Sequence, residues 1–225
     1  MRKIFFLLLL AGLVTLKAQT VGGSFVIGLP QGEFKQKVDN IGFGLQVHGT
    51  LFTPSAVSPF TVGLNLGYMV YGNESSTRPL SEYIPDVFVD VNRTNNIANF
   101  HLLFQVSPFI GDVRPYAEGL FGGAYLFTTT KVESRNSNQN VFESTNFDSY
   151  AWNYGFGGGL LIKLMGPSGS MSNLFLDLKA RYMYGTETEY LKEGSVTIVN
   201  GRAYYDVQKS KTDLLTLHIG VVAYF

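Results

Sequence analysis

The sequence contains three histidines, His48, His101 and His218, and imidazole is the side chain most often used both for binding metals and for acid–base chemistry. Each lies on the polar face of a segment in which apolar and polar residues alternate. A metal site needs ligands that converge, yet these three lie in separate segments, and none has another histidine two residues away. We therefore expect each histidine to hydrogen-bond within a polar interior, and the sequence predicts no metal ion and no other cofactor.

Hydrolysis by a nucleophile would require a serine beside one of these histidines and a carboxylate to orient the ring. Two residues after each histidine, on the same strand face, come Thr50, Leu103 and Gly220. The chain has no cysteine, so a thiolate nucleophile is excluded. The sequence therefore predicts a protein that is not an enzyme.

Charged residues are the most informative feature of the predicted interior. Glu118, Lys163 and Asp177 occupy polar faces of three successive segments, each a few residues from a predicted turn and with alternating sign. Because cross-strand neighbours approach to about 5 Å, they are expected to form a ladder, with Lys179 and Arg181 on the same face further along. An ion-selective path and a plug of salt bridges are the two interpretations. We predict the plug.

These residues must be positioned by strands, because alternation places successive side chains on opposite faces. In the clearest case, Leu215, Leu217, Ile219, Val221 and the terminal Phe225 form one apolar row. Most of the segments have ten or more residues, which suits tilted strands that cross a membrane in about 9–11 residues. Eight segments show the pattern, at about 21–29, 41–51, 60–71, 98–107, 116–128, 152–164, 174–184 and 214–225.

The connections between these segments alternate in length after the first one. Breaker residues such as Pro54, Gly111 and Pro167 mark the short turns, whereas the long connections are rich in Asn, Ser, Thr and charge. Outer-membrane barrels have short periplasmic turns and longer external loops, and eight strands place both termini on the turn side. The predicted connections cover about 30–39, 53–59, 71–96, 110–114, 130–148, 165–172 and 187–212.

A soluble β-sandwich would also alternate, but its polar face would have to be charged enough to face water. Here the polar rows are mostly Gly, Asn, Gln, Thr and His, which suits a narrow lumen. The aromatic residues of the apolar rows fall at two levels, as in the girdles at the two membrane interfaces. The sequence therefore predicts an all-β fold, an eight-stranded antiparallel up-and-down transmembrane β-barrel.

The N-terminus has the pattern of a secretory signal peptide, with Arg2 and Lys3 before an apolar run that ends near Lys17-Ala18. We expect cleavage after residue 18 and a single barrel domain over 19–225. Without Arg2, Lys3 and Lys17, the 17 basic residues fall to 14 against 17 acidic ones, a net charge near −3. That balance argues against nucleic acid as a partner.

With these features the chain resembles the small outer-membrane β-barrel domains of the OmpX and OmpA transmembrane type, a porin-like family. The resemblance covers residues 19–225 and includes the Gly22-Gly23-Ser24 first strand and the alternating terminal row ending in Phe225. It implies localisation in the outer membrane of a Gram-negative cell, with outer-membrane lipid and the barrel-assembly machinery as partners. It also implies that Phe225 is part of the assembly signal.

The family resemblance leaves the task of the protein open, since one barrel fold serves many functions. Our leading hypothesis is a non-enzymatic barrel that presents external loops, for a structural role, adhesion or the binding of an unknown extracellular ligand. A small porin-like diffusion channel is the second. An accessory barrel in secretion or envelope assembly is the third.

Overall fold

The computed structural model describes residues 19–54, 57–81, 84–134, 140–199 and 202–225. The predicted signal peptide, residues 1–18, lies outside this part of the chain. Twelve strands and one short helix are described. In chain order they are β1 (Thr20–Pro30), α1 (Gly32–Lys37), β2 (Gly42–Thr50), β3 (Phe60–Ser81), β4 (Ile84–Val106), β5 (Val113–Ser134), β6 (Asn140–Met165), β7 (Asn173–Gly185), β8 (Glu187–Tyr190), β9 (Val196–Val199), β10 (Arg202–Tyr205), β11 (Gln208–Lys211) and β12 (Leu214–Tyr224).

Eight of the strands close into a barrel in the order β1-β12-β7-β6-β5-β4-β3-β2, and β2 pairs again with β1. All of these pairings are antiparallel, and most of them join strands that follow one another in the chain. The exceptions are the closing pair β1–β12 and the pair β7–β12, between which the four short strands occur in the sequence. The eight-stranded up-and-down barrel predicted from alternation is confirmed.

The two ends of the barrel differ. We call the end with both termini, and with the connections after β2, β4 and β6, the turn end. We call the opposite end, with α1 and residues 186–213, the loop end. Gly111 and Gly169 adopt positive φ angles of 130° and 57° in two of the turns, a conformation that favours glycine.

Two predicted long loops are mostly paired strand, because β3–β4 and β5–β6 continue well beyond the predicted boundaries at the loop end. Hydrogen bonds between polar side chains, such as Thr77 to Asp90 at 2.7 Å and Thr94 to Thr129 at 2.7 Å, join these extensions. With polar residues on the outward face the apolar alternation is lost, although the backbone ladder continues. The boundaries at 71 and 96, and at 130 and 148, were therefore wrong.

The other two connections at the loop end are also structured. The first, predicted as a loop over 30–39, contains α1. The last, predicted over 187–212, forms two small sheets, β8–β11 and β9–β10. Both pack over the loop end of the barrel, where Lys211 N donates a hydrogen bond of 3.2 Å to Glu33 Oε2.

Candidate functional site: the filled lumen

The centre of the lumen holds a buried ion pair between Glu118 on β5 and Arg181 on β7. Arg181 Nε lies 2.5 Å from Glu118 Oε1, and Nη2 lies 3.1 Å from Oε2, so the contact is bidentate. Strand β6 separates them, and Gly157 is the β6 residue opposite both. A Cβ atom at Gly157 would lie 2.5 Å from the Ala180 carbonyl oxygen and 2.8 Å from Arg181 Cγ, so only glycine fits between the two charged residues without a shift of β7.

The guanidinium of Arg181 also reaches the far wall of the barrel. Its Nη1 donates to Gln46 Oε1 on β2 at 2.7 Å and to Asn65 Oδ1 on β3 at 3.1 Å. Strands β7 and β3 are four places apart in a ring of eight, and so they face each other. One side chain therefore bridges the full width of the lumen.

The network continues through amide and imidazole groups. Asn65 Nδ2 lies 3.3 Å from His101 Nδ1, and His101 Nε2 lies 2.8 Å from Asn153 Oδ1. Both contacts are satisfied by the tautomer in which Nε2 carries the proton, donates to Asn153, and leaves Nδ1 to accept. Hydrogen bonds thus connect Glu118 to Asn153 through Arg181, Asn65 and His101, all of them buried.

A second ion pair lies beside the first, towards the turn end. Lys179 Nζ is 2.7 Å from Asp177 Oδ2, and the Tyr116 hydroxyl donates to Asp177 Oδ1 at 2.6 Å. The two charges are alternate residues of β7, so their side chains share the lumen face. Four of the five charged residues expected in the lumen are therefore buried there.

The fifth, Lys163, is not in this cluster, and the predicted ladder of Glu118, Lys163 and Asp177 does not form. Lys163 Nζ pairs instead with Asp112 at 3.5 Å at the rim of the turn end, with its side chain 33% exposed. Its register partner Phe175 is fully buried and fills the lumen at that level. The pairing of β6 with β7 is irregular after Lys163, which ends the regular register beside it.

The three histidines are all buried, as their strand face predicted, but they have different surroundings. His218 Nε2 is 2.8 Å from the Thr216 hydroxyl, and its Nδ1 is 3.4 Å from the Ser24 hydroxyl. Within the part of the chain that the structure describes, His48 Nδ1 has no hydrogen-bond partner. Among the described residues, no histidine is hydrogen-bonded to a carboxylate, and no cluster of three or more His, Cys, Asp or Glu side chains could hold a metal ion.

The loop end of the lumen is apolar, which the sequence reasoning missed. Phe34 of α1 is fully buried, with its ring centroid 5.1 Å from that of Tyr190 and 5.8 Å from that of Tyr71. Burial raises the pKa of the Tyr190 hydroxyl, which is 2.7 Å from the Ser210 hydroxyl. Further buried apolar side chains belong to the same cluster and line the upper lumen, which retains a cavity of only about 40 Å³: Val38, Met69, Ile97, Leu103, Leu120, Ala124, Leu126, Ala151, Met183 and Leu214.

The turn end of the lumen is closed by a second apolar group. Phe175 packs against Tyr224 with ring centroids 5.0 Å apart, and Tyr116, Leu161 and Val222 complete the group. The guanidinium of Arg114 lies over the Phe175 ring, 4.5 Å from its centroid. The lumen is therefore apolar towards the loop end and charged in the middle, and at the turn end it holds this aromatic group together with the buried side chains of Thr20, Thr50, Thr61 and Ser107.

The outer surface of the barrel has the opposite character. Large apolar side chains on every barrel strand point away from the lumen and are exposed, as the apolar rows predicted. Aromatic rings pack on one another near the loop end, with Phe121 and Trp152 at 5.8 Å and Tyr154 and Tyr184 at 5.5 Å. Phe225 lies at the turn end on this outer face. Within the described residues, no helix is long and apolar enough to cross a membrane.

Three solved structures are similar to this chain over 92% of its length. They are Neisserial surface protein A (13% identity, TM-score 0.41, 96% of that chain), a major outer membrane protein from Thermus thermophilus (14%, 0.42, 99%), and Ail, the attachment invasion locus protein of Yersinia pestis, in complex with the heparin analogue sucrose octasulfate (14%, 0.35, 97%). No protein-family model and no curated protein matches the sequence. At these identities the likeness concerns the fold alone.

The closed ring of eight antiparallel strands, with polar groups inside and apolar groups outside, defines the class of fold. It is that of the small outer-membrane β-barrels, which the sequence resemblance had named, and the prediction of the fold is confirmed.

Proposed function

We propose that this protein is an integral outer-membrane β-barrel without catalytic activity, with a sealed lumen and with its loop end directed out of the cell. The membrane location is supported by the outer surface. Phe43, Phe100, Phe104, Phe156 and Ile219 come from four different strands, and each is more than half exposed. In water so large an exposed apolar surface would promote aggregation, whereas in the hydrocarbon core of a membrane it is stable.

The seal is supported by one observation above all, the position of Arg181. It is bonded to Glu118 on one side and to Asn65 on the opposite strand, so that its side chain occupies the centre of the lumen. An eight-stranded barrel is just wide enough for side chains to fill. The apolar layers around Phe34 and Phe175 close the two ends. This packing favours a structural or surface-display role over the diffusion channel.

The absence of catalysis is supported by the partners of the histidines. A general base in hydrolysis is oriented by a carboxylate and activates a neighbouring hydroxyl. In the described part of the chain, His101 is bonded to two asparagines and His218 to two hydroxyls. Hydrogen bonds of this kind are those of histidines that stabilise the interior of a protein.

A role in binding an external partner is supported by the surface at the loop end. Tyr204 and Tyr205 on β10 are 57% and 43% exposed, and Val207, two residues beyond this strand, is 38% exposed. Tyrosine is enriched at protein interfaces because its ring is apolar and its hydroxyl is polar.

Two measurements test this function. The protein should fractionate with the outer membrane and migrate differently in heated and unheated gel samples, because closure leaves no backbone group unpaired in lipid. Refolded into planar bilayers, it should show no steady conductance. Recovery in the soluble fraction would contradict the membrane location, and a steady conductance of porin size would replace the sealed barrel with the channel.

A further inference from the structure

A second surface of interest lies on the outside of the barrel, where the long strands β3, β4, β5 and β6 continue beyond the loop end of their neighbours. Their outward face is concave here and encloses a cleft of about 350 Å³. The lower part of the cleft is lined by Tyr68 and Phe127, whose ring centroids are 6.4 Å apart. Higher up, Asn92, Thr94, Thr129 and Lys131 line it. We call this surface the polar cleft.

The outward-facing residues of these four strands form rows across the sheet, and the composition of these rows changes from the barrel towards the loop end. In the direction of the loop end, successive rows read Tyr68, Ala98, Tyr125 and Tyr150; then Val70, Asn96, Phe127 and Asp148; then Asn73, Thr94, Thr129 and Thr145; then Ser75, Asn92, Lys131 and Glu143. Aromatic residues mark the level of lipid headgroups. The polar cleft therefore begins at the headgroup level and faces the layer just above it, while remaining on the side of the barrel that faces lipid.

Part of the polar cleft is fixed by its own hydrogen bonds. The Tyr68 hydroxyl donates to Asn96 Oδ1 at 2.7 Å, and the Thr94 and Thr129 hydroxyls are 2.7 Å apart. Asn96 is almost fully buried beneath them. These bonds hold the aromatic and hydroxyl groups in place, so the lower part of the cleft is preorganised.

The upper part has polar groups that remain available. The side-chain amide of Asn92 makes no hydrogen bond within the described residues, although an amide offers two donors and an acceptor. Next to it, Lys131 and Glu143 form an ion pair of 3.6 Å with about half of each side chain exposed. An exposed pair of this kind is weak and can exchange its partners for a ligand.

We propose that the polar cleft binds the sugar headgroup of a glycolipid in the leaflet that surrounds the loop end. This inference rests on the proposed membrane location. The rings of Tyr68 and Phe127 suit the apolar face of a sugar ring, while Asn92 and the threonine hydroxyls suit its hydroxyl groups. Lys131 suits a phosphate on the headgroup, and basic residues at this level commonly recognise lipid headgroups.

Other occupants fit the surface less well. Acyl chains would leave the amide of Asn92, which makes no hydrogen bond within the described residues, facing hydrocarbon, which is costly. A partner strand would add to the edge of a sheet, whereas the cleft is on a face whose strands β4 and β5 are already paired on both sides. A headgroup anchored beside the barrel has the position and the chemistry that the cleft requires.

The test uses the full mature protein in phosphatidylethanolamine nanodiscs with and without rough lipopolysaccharide, whose headgroup is a phosphorylated core oligosaccharide. Native mass spectrometry after release into detergent counts the lipopolysaccharide molecules retained, and a titration gives the affinity. The variants Asn92→Ala and Lys131→Ala should each weaken binding, together by about tenfold, which corresponds to the loss of one or two polar contacts. The matched control is Lys209→Ala, which removes another exposed lysine, paired with Glu187 at 2.9 Å elsewhere at the loop end.

Retention by the wild type that falls in the two cleft variants but not in Lys209→Ala would support the proposal. Equal retention by all four proteins would overturn it. Delipidated core oligosaccharide is the second probe, and it should bind much more weakly than the intact glycolipid. Equal affinity for the free sugar would overturn the assignment to the leaflet. A protein that does not enter nanodiscs at all would instead refute the proposed function, and that outcome is separately visible in the gel-shift assay.

Discussion

At the scale of single residues, the stability of the lumen depends on charges that are buried together. Glu118 and Arg181 each have side chains only 2% exposed, and so neither can recover hydration if the other is lost. Removing one partner of a buried pair leaves an uncompensated charge, whereas replacing both by apolar groups is often tolerated. The pair joins β5 to β7 across Gly157 of β6.

We expect Glu118→Ala to lower the free energy of unfolding by about 3–5 kcal/mol, because Arg181 would remain buried without its carboxylate. The measurement is urea unfolding in micelles, followed by the fluorescence of the single Trp152. Lys163→Ala is the matched control, since its pair with Asp112 at the rim is partly exposed and should be worth at most about 1 kcal/mol. Equal losses in the two variants would contradict the distinction between buried and rim pairs.

The sequence predicted which residues face the lumen but not which of them meet. Alternation alone placed Glu118, Asp177, Lys179 and Arg181 inside, because the side-chain period of a strand is two. Their partners depend on the stagger between strands and on the reach of a long side chain, neither of which alternation contains. Lys163 shows the limit. The alternation also assigns Lys163 to the lumen face, but Phe175 on the next strand already fills the lumen at that level.

At the scale of elements, the short helix α1 closes the loop end of the barrel. Its six residues would not be stable as an isolated helix, so tertiary packing must hold it. The contact is Phe34, which inserts between Tyr71 and Tyr190. Tyr71 is held in turn by its hydroxyl, which donates to Leu191 O at 3.0 Å. A single aromatic side chain from the first connection thus joins β3 to the last connection.

Phe34→Ala should therefore open the loop end of the lumen and lower stability by about 3–5 kcal/mol, the usual cost of deleting a buried aromatic ring. The chain has no cysteine, so a single Met183→Cys substitution beneath the helix reports access to a maleimide. Labelling should be slow in the parent, fast with Phe34→Ala, and slow again with Phe34→Leu, which keeps most of the apolar volume. Slow labelling with Phe34→Ala would show that α1 does not seal the barrel.

The elements above the barrel were harder to predict than those within it. Within the barrel, the outward face of each strand is apolar, and the alternation with a period of two is clear in rows such as Leu215 to Phe225. Above that level both faces of β3 to β6 carry polar residues, so strand and loop have the same composition. The small helix was hidden for a related reason, since Phe34 is one apolar residue among charged ones in the segment GEFKQK.

At the scale of the whole molecule, the barrel exists only when its first and last strands meet. Strands β1 and β12 pair over eleven residues, from Thr20 opposite Tyr224 to Pro30 opposite Leu214. Beyond the last pair, Phe225 N donates to Gln19 O at 2.9 Å. Since closure removes both free sheet edges, every other feature of the lumen depends on this final pairing.

Phe225 directly follows that closing strand, and the resemblance of the terminal row to an assembly signal leads to the last prediction. We expect Phe225→Asp to reduce the assembled, heat-modifiable protein several-fold, while export across the inner membrane continues, because the aromatic terminus would no longer be recognised. Phe60→Asp is the matched control. Phe60 is also exposed on the outer face at the turn end, so it places the same charge in a similar environment without altering the terminus. The measurements are the heat-modifiable fraction in isolated outer membranes and the total exported chain. A loss confined to Phe225→Asp would support the signal, whereas an equal loss in both variants would trace the defect to a carboxylate facing lipid.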